Sequence, residues 1–178
     1  MPEPGRPQPG EYNAYYQKYI DLVPEGDIRM VLRVQLADTI ALLRPVSEQQ
    51  STHRYAEGKW SVKQVIGHLI DGERIFLYRA NCIARGDRSP LPGFDENTYA
   101  EAGGFDGRPF QSLLAELEAA RGSTASFFQN LPDDAWRRLG IANNLEISVR
   151  ALAYITAGHE LHHRAILAER YLGAAVPA

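Results

Sequence analysis

Apolar residues recur every three or four positions in four long stretches of the chain, and this spacing is typical of amphipathic helices. The stretches cover residues 24–44, 61–85, 109–132 and 148–173. No alternation of strands and helices accompanies them, so they must bury their apolar faces against one another. The pattern therefore predicts an all-α fold, a four-helix bundle.

Polar and glycine residues mark the ends of two of these helices. Ser61 and Gln64 fit an S-x-x-Q capping box at the start of the second helix, and Gly86 follows its end. Ser148 can cap the start of the fourth helix, and Gly173 suits the position after its last turn.

The segments between and before the helices carry weaker patterns. Residues 87–108 and 133–147 show neither a helix nor a strand period, so we expect two long loops. Residues 1–11 contain four prolines and two glycines, which predicts a flexible N-terminal arm before one domain at 12–178. Tyrosines at helical spacing in residues 12–20 predict a short helix that packs on the body, or on a second subunit.

Composition narrows the class of protein. A net charge of −3 gives no broad basic field, so neither nucleic acid nor a membrane surface is the expected partner. No apolar run approaches the roughly 18 residues needed to cross a bilayer. The single Cys82 excludes an internal disulfide, and the start of the chain has no signal-like apolar core, so we expect a cytoplasmic protein with a small-molecule substrate.

Three histidines occupy positions that could hold a metal. His159 and His163 are four residues apart, so they project from successive turns of one helix face. His68 is the best third ligand, because it lies on the inner face of the second predicted helix. Three imidazoles around Zn²⁺ or a similar ion leave a position open for a reactant. The sequence thus predicts a metal site, with the two long loops over that end of the bundle.

Other interpretations of the histidine region stay open. The histidines could be ordinary buried residues with hydrogen-bond partners, and His162 could replace its neighbour as a ligand, although it more naturally faces another helix or solvent. His53 fits a solvated surface position. HELHH also matches the zinc-protease signature H-E-x-x-H with Glu160 as general base, but only 15 residues follow His163, with Glu169 as their sole acid. We therefore interpret Glu160 as an exposed helix residue, or as a partner for an imidazole N–H.

Four further residues have a functional and a structural interpretation. Asp71 could orient His68, but a solvated carboxylate is the commoner case. Arg79 and Arg170 could bind an anionic substrate, but salt bridges to glutamates of the bundle are the simpler expectation. Cys82 could be a reactive thiol, and a small buried residue fits its neighbours better.

Two segments resemble a known family. GKWSVKQVIGHLIDGERIF and the later AGHELHHRAIL are similar to motifs of the DinB/YfiT-like superfamily, and the resemblance extends from Tyr12 to Leu172, including PLPGFD. It implies a four-helix bundle in which His68, His159 and His163 bind a divalent metal, often zinc or nickel. It also implies a homodimer. Members with known activities are thiol-dependent S-transferases and a thiol-dependent maleylpyruvate isomerase.

Three functions follow as hypotheses. The first is a divalent-metal-dependent enzyme of the thiol S-transferase type, with a low-molecular-weight thiol as cosubstrate. The second is a metal-dependent hydrolase that needs a carboxylate near the ion. The third is a non-catalytic metal- or ligand-binding stress protein. The sequence assigns no catalytic residue beyond the candidate ligands.

Overall fold

The computed structural model describes residues 3–173, so residues 1–2 of the predicted arm and 174–178 of the predicted domain lie outside the described residues. The described α-helices and β-strands in chain order are α1 (Gln17–Ile20), α2 (Ile28–Val34), α3 (Leu36–Leu43), α4 (Glu48–Ser51), α5 (Val62–Ala84), α6 (Glu96–Ala102), α7 (Phe110–Gln129), β1 (Leu139–Ala142), β2 (Leu145–Ser148) and α8 (Val149–Ile166). Helix α5 packs against α7 and α8, and α2 packs against the same two helices. The predicted four-helix bundle is therefore confirmed.

The predicted caps are present on the helices that carry the histidines. The Ser61 hydroxyl accepts a hydrogen bond from the backbone N–H of Gln64 at 3.0 Å, and the Gln64 side chain accepts one from the Ser61 N–H at 3.1 Å. The Ser148 hydroxyl accepts from the backbone N–H of Ala151 at 3.0 Å. Gly173 adopts a positive φ of 61° where α8 and its continuation end. The bonds to Ser61 and Ser148 satisfy N–H groups that the first helical turn leaves without partners.

Two of the long helices are less regular than the sequence predicts. The first begins at Ile28, with Asp27 as its cap, and is interrupted at Gln35, whose side chain donates to the backbone carbonyl of Ala157 at 2.9 Å. Helix α8 continues after Ile166 as a π-helical segment, Leu167–Leu172. The break at Gln35 coincides with this hydrogen bond to another helix. Contacts between helices cannot be predicted from the periodicity of the sequence.

The prediction that residues 133–147 contain no strand is wrong. Strands β1 and β2 pair antiparallel, with Leu139 opposite Ser148 and Ala142 opposite Leu145. The turn between them consists of Asn143 and Asn144, with φ of 53° and 61°. Two successive residues with positive φ form the turn whose twist matches a two-residue hairpin, and asparagine tolerates this conformation. The Asn-Asn pair is therefore the sequence signal for the hairpin.

The prediction that residues 87–108 contain no helix is also wrong, because this connection includes the short helix α6, and it is joined to the hairpin. The backbone N–H of Leu91 donates to the carbonyl of Ile141, and the N–H of Asn143 donates to the carbonyl of Leu91, each at 2.9 Å. These two bonds hold the two connections side by side. The two connections together form one wall of the cavity described below.

A layer of polar side chains crosses the middle of the bundle. Two apolar clusters fill the bundle, and one contains Leu32, Ile83 and Ile155 while the other contains Ile40 and Leu113. Each of the four long helical segments contributes to one hydrogen-bonded set of buried polar side chains, which we call the polar layer: Gln35, Thr39, Glu73, Arg121 and Glu160.

The described part of the N-terminal segment lies against the bundle. Arg6 donates to the carbonyl of Ile20 at 2.9 Å and pairs with Glu25 at 3.0 Å. Glu11 accepts hydrogen bonds from Ser148 at 2.8 Å and from the Arg150 Nε at 2.6 Å. These contacts join residues before α1 to the start of α8.

Within residues 3–173, no helix combines the length and the apolar character that a membrane span requires.

Candidate metal centre

The three predicted ligands meet inside the bundle. The ring centroids of His68, His159 and His163 are 4.6 to 4.8 Å apart in every pairing. One ligand nitrogen from each ring can be chosen so that all lie within 4.8 Å of one another. We call this group the three-histidine site.

The fold explains why these side chains converge. Helix α5 begins at the capping box and packs against α8, and the His68 ring contacts the rings of His159 and His163 on that helix. On α8 the four-residue spacing places His159 and His163 on successive turns of the facing surface. His68 and His159 are 8% and 7% exposed, and His163 is half-buried.

Burial keeps the three imidazoles neutral. It lowers the pKa of His68 to about 4, with a smaller contribution from the charge of His162. It also lowers the pKa of His159 and His163 well below the ordinary value, and the neighbouring imidazoles act in the same direction. A neutral imidazole is the form that binds a metal.

The hydrogen bonding of the site also fits a cation. The Nε2 atoms of His68 and His159 lie 2.8 Å apart, so at most one of the two can donate to the other. Within the described residues, the buried Nδ1 of His163 has no hydrogen-bond partner. Three neutral nitrogen donors are a set that Zn²⁺ or Ni²⁺ accepts.

The spacing is close to what one ion requires. Two nitrogens at zinc–nitrogen distances of about 2.0–2.1 Å cannot be more than about 4.2 Å apart. The ligand atoms of the three-histidine site lie within 4.8 Å of one another, which is close to this limit.

The other two histidines do not join the site. His162 is half-buried and lies edge-on to Tyr19, with ring centroids 5.3 Å apart. It is not part of the group whose ligand atoms converge. His53 is exposed and contacts the ring of Tyr171 at a centroid distance of 6.3 Å.

Glu160 is not the exposed residue that the sequence suggested. It is 1% exposed, and its carboxylate accepts hydrogen bonds from Thr39 and Gln35 and pairs with Arg121 at 3.4 Å. Arg121 also pairs with Glu73 at 2.6 Å. The carboxylate is therefore held in the polar layer, and the geometry does not support Glu160 as a general base.

The two arginines do not form the predicted salt bridges. Arg79 is 4% exposed, and Arg170 is exposed and donates to the hydroxyl of Tyr55 at 3.4 Å. No ion pair joins either arginine to a carboxylate in the described part of the chain. Asp71 is half-buried and burial raises its pKa, and it makes no hydrogen bond to His68 among the described contacts. Cys82 is half-buried and packs on the apolar core, as the structural interpretation predicts.

A cavity of about 380 Å³ opens beside the three-histidine site. Its aromatic lining comes from the segment around α1, from the helices and from the loops, and its charged lining is Arg79 and Glu96. Trp60 lies against His68 with ring centroids 4.8 Å apart, and Phe76 lies edge-on to His159 at 5.5 Å. Both predicted loop regions supply lining residues, Phe94 from the first and Asn143 from the second.

Tyr19 and the polar layer are site features that the sequence interpretation does not identify. Tyr19 is 8% exposed, and its ring lies 5.6 Å from that of His159. Burial and its contact with Tyr15 raise the pKa of Tyr19, so the hydroxyl stays protonated. The sequence contains one signal for the polar layer. Glu73 follows the core residue Leu69 by four positions, so both lie on the same face of the helix.

Fold and site together define a class: a helical bundle with a candidate divalent-metal site at the wall of a cavity. The chain belongs to the DinB superfamily, whose family model matches residues 32–167.

Two proteins with similar sequences carry names that refer to metal dependence. A protein of Oceanobacillus iheyensis is 26% identical over 133 residues, 74% of each chain, and one of Geobacillus thermodenitrificans is 24% identical over 136 residues, 74% of this chain and 75% of the other. Both carry the name "Putative metal-dependent hydrolase".

Two solved structures share the fold. YfiT from Bacillus subtilis, described as "a probable metal-dependent hydrolase with an unusual four-helix bundle topology", has a TM-score of 0.68 at 20% identity, covering 98% of this chain and 97% of YfiT. A mycothiol-dependent maleylpyruvate isomerase has a TM-score of 0.70 at 14% identity, covering 88% of this chain and 64% of that one.

Proposed function

We propose that this protein is a divalent-metal-dependent enzyme that transfers a thiol to an electrophilic small molecule. The observation that carries the proposal is the convergence of three neutral imidazoles, two buried and one half-buried, at the wall of a cavity. His68, His159 and His163 would hold the ion. An ion held there would lower the pKa of a thiol or a water molecule towards neutrality.

The protein's own residues prepare the site in two ways. Burial keeps the imidazoles unprotonated, so they do not need to lose protons before they bind a cation. The rings of Trp60, Phe76 and Tyr19 pack against His68 and His159 and shield these two imidazoles from water. A site of low polarity strengthens electrostatic interactions with a bound anion such as a thiolate.

The positions of the carboxylates relative to the three-histidine site favour thiol transfer over hydrolysis as the reaction. Metal-assisted hydrolysis normally uses a base to take a proton from water. Within the described residues, no carboxylate is hydrogen-bonded to the three-histidine site, and Glu160 is held by Thr39, Gln35 and Arg121. A thiol needs less help from a base to lose its proton, because its ordinary pKa of about 8.5 is already near neutrality. The structurally similar maleylpyruvate isomerase is itself mycothiol-dependent, which agrees with this choice.

Hydrolysis is the second candidate, and two observations favour it. The relatives from Oceanobacillus and Geobacillus carry the name of metal-dependent hydrolases. Glu96 lines the same cavity as the histidines and is the carboxylate that could act as base.

The test has two parts. The first measures the metal content of protein purified from metal-defined medium, in the unaltered chain and in single His68→Ala, His159→Ala and His163→Ala variants. The second screens the metal-loaded protein with glutathione, bacillithiol or mycothiol and a chlorinated or epoxide electrophile, and separately with ester and amide probes.

Thiol conjugation that is lost in each histidine variant would support the proposal. Histidine-dependent cleavage of esters or amides without thiol conjugation would favour the hydrolase. Stoichiometric metal without either activity would favour a metal- or ligand-binding protein.

A further inference from the structure

Arg79 is a buried cation whose charge the described structure does not balance. Its side chain is 4% exposed and lines the same cavity as the three-histidine site. Its one hydrogen bond among the described contacts runs from Nη2 to the carbonyl of Pro92 at 2.7 Å, and its guanidinium lies 5.9 Å from the ring centre of Phe94. Burial lowers its pKa, which reflects the cost of holding the charge away from water.

No described carboxylate pairs with this guanidinium. Glu96 lines the cavity but forms no ion pair with Arg79. The other two arginines that are at most 7% exposed, Arg29 and Arg121, each pair with an acid. A guanidinium has five N–H donors, and a carbonyl uses one of them here. The cavity is therefore the place where a ligand can supply the missing anion.

The position of Arg79 also limits the ligand. Arg79 follows His68 by eleven residues on α5, which corresponds to about 16 Å along the helix axis. Helical side chains point back towards the N terminus, so the Arg79 side chain shortens this distance on the cavity side. A ligand that reaches both places needs several bonds between its anionic group and its reacting atom.

We propose that Arg79 forms a subsite for a carboxylate, and that the substrate or cosubstrate of this cavity is a carboxylic acid held with its reacting atom towards the three-histidine site. Arginine suits this task because its planar fork matches the two oxygens of a carboxylate. The orientation of the reacting atom rests on the proposed function, whereas binding of the acid at Arg79 does not. The carboxylate can belong to the thiol or to the electrophile.

The test is a comparison of acids with their uncharged derivatives by titration calorimetry. Glutathione and its diethyl ester probe a carboxylate on the thiol, and 4-phenylbutyrate and its amide probe a carboxylate on the partner molecule. Each is titrated into the unaltered protein, Arg79→Met and Arg79→Lys, with and without bound zinc. Arg74→Met is the matched control, because Arg74 lies on the same helix, is 57% exposed and pairs with Glu116 outside the cavity.

We expect at least one acid to bind the unaltered protein about tenfold or more tightly than its uncharged derivative, and Arg79→Met to abolish that difference. Arg79→Lys should restore part of it, and Arg74→Met should leave it unchanged. If Arg79 only fixes the loop at Pro92, its removal should weaken acid and derivative equally. That result, or failure of both acids to bind the unaltered protein, would overturn the inference.

The two proposals can fail separately. If the unaltered protein binds no zinc, or shows no turnover in the screens above, the proposed function is refuted. Arg79-dependent binding of the acid to metal-free protein would still stand in that case. Normal zinc stoichiometry with acid binding independent of Arg79 would refute the inference alone.

Discussion

Helix α1 crosses α8 at Gly158, where the two backbones are in direct contact. A Cβ atom built on Gly158 would lie 1.9 Å from the carbonyl oxygen of Tyr19 and 2.4 Å from its carbonyl carbon. An ordinary contact is at least 3.4 Å, so Gly158→Ala requires a displacement of about 1.5 Å. Because the obstructing atoms belong to the backbone, a change of side-chain rotamer cannot relieve the overlap.

Two opposing effects set the expected change in stability. Replacing glycine by alanine inside a helix stabilises by about 1 kcal/mol, and overpacking costs about 1–3 kcal/mol or more. The backbone overlap places Gly158→Ala at the upper end of that cost, so we expect a net loss of about 2 kcal/mol. Gly122→Ala is the matched control, because Gly122 is an exposed residue of α7 whose added Cβ would meet nothing within 4 Å. It should stabilise by up to about 1 kcal/mol.

Thermal unfolding of the two variants measures the difference. For a chain of this size, 1 kcal/mol shifts the Tm by about 2–4 °C, so Gly158→Ala should lower it by about 4–8 °C while Gly122→Ala raises it slightly. Zinc stoichiometry should survive in Gly122→Ala, because α7 contributes no histidine to the three-histidine site. A Tm for Gly158→Ala equal to or above that of Gly122→Ala would refute the close approach of α1 and α8.

Three further predictions concern the metal site, the polar layer and acid stability. His163→Ala should abolish stoichiometric metal binding while His162→Ala largely spares it, measured by metal analysis after dialysis; equal losses would mean that the ligand assignment is wrong. Glu160→Gln should lower the free energy of unfolding by about 1–3 kcal/mol in denaturant titrations and leave metal stoichiometry unchanged; full stability with complete loss of turnover would instead support a general base. Burial raises the pKa of Glu11, but hydrogen bonds, the largest contribution coming from Arg150, outweigh burial and lower this pKa. The ion pair between Glu11 and Arg150 therefore stabilises the fold above the ordinary glutamate pKa, and this stabilisation is lost as pH falls through the lowered pKa. Glu11→Gln should therefore be less stable than the unaltered protein near neutral pH, but it should lose less stability as the pH falls below the ordinary glutamate pKa. Circular dichroism follows unfolding at each pH, and a parallel pH profile would exclude this contribution.

Local sequence signals predict the long helices and the histidine pairing correctly because each depends on neighbours in the chain. The capping box at Ser61 involves residues three positions apart, and the pairing of His159 with His163 follows from the helical repeat. His68 is the third candidate ligand because of its place on an inner helix face. The structure brings it to the other two.

The errors also have physical causes. The hairpin at residues 139–148 escapes prediction because its strands are four residues long and alternate weakly, so the Asn143-Asn144 turn carries most of the signal. The sequence favours an exposed Glu160 because carboxylates are rarely buried unless they are paired. Its partners come from distant parts of the chain, and Arg121 precedes it by 39 residues.

Spacing along the chain is enough to predict where the long helices lie, which of their faces turn inward and which histidines can share a face, since these properties repeat every three or four residues. It does not predict that four helical segments contribute to one polar layer, that α1 meets α8 at Gly158 or that Arg79 enters the cavity without an acidic partner among the described residues, because these features arise from packing in three dimensions. The physical reason is that a buried charge is stabilised by whichever groups the packing brings within about 3–4 Å. Those groups are set by how helices cross and not by their spacing along the chain.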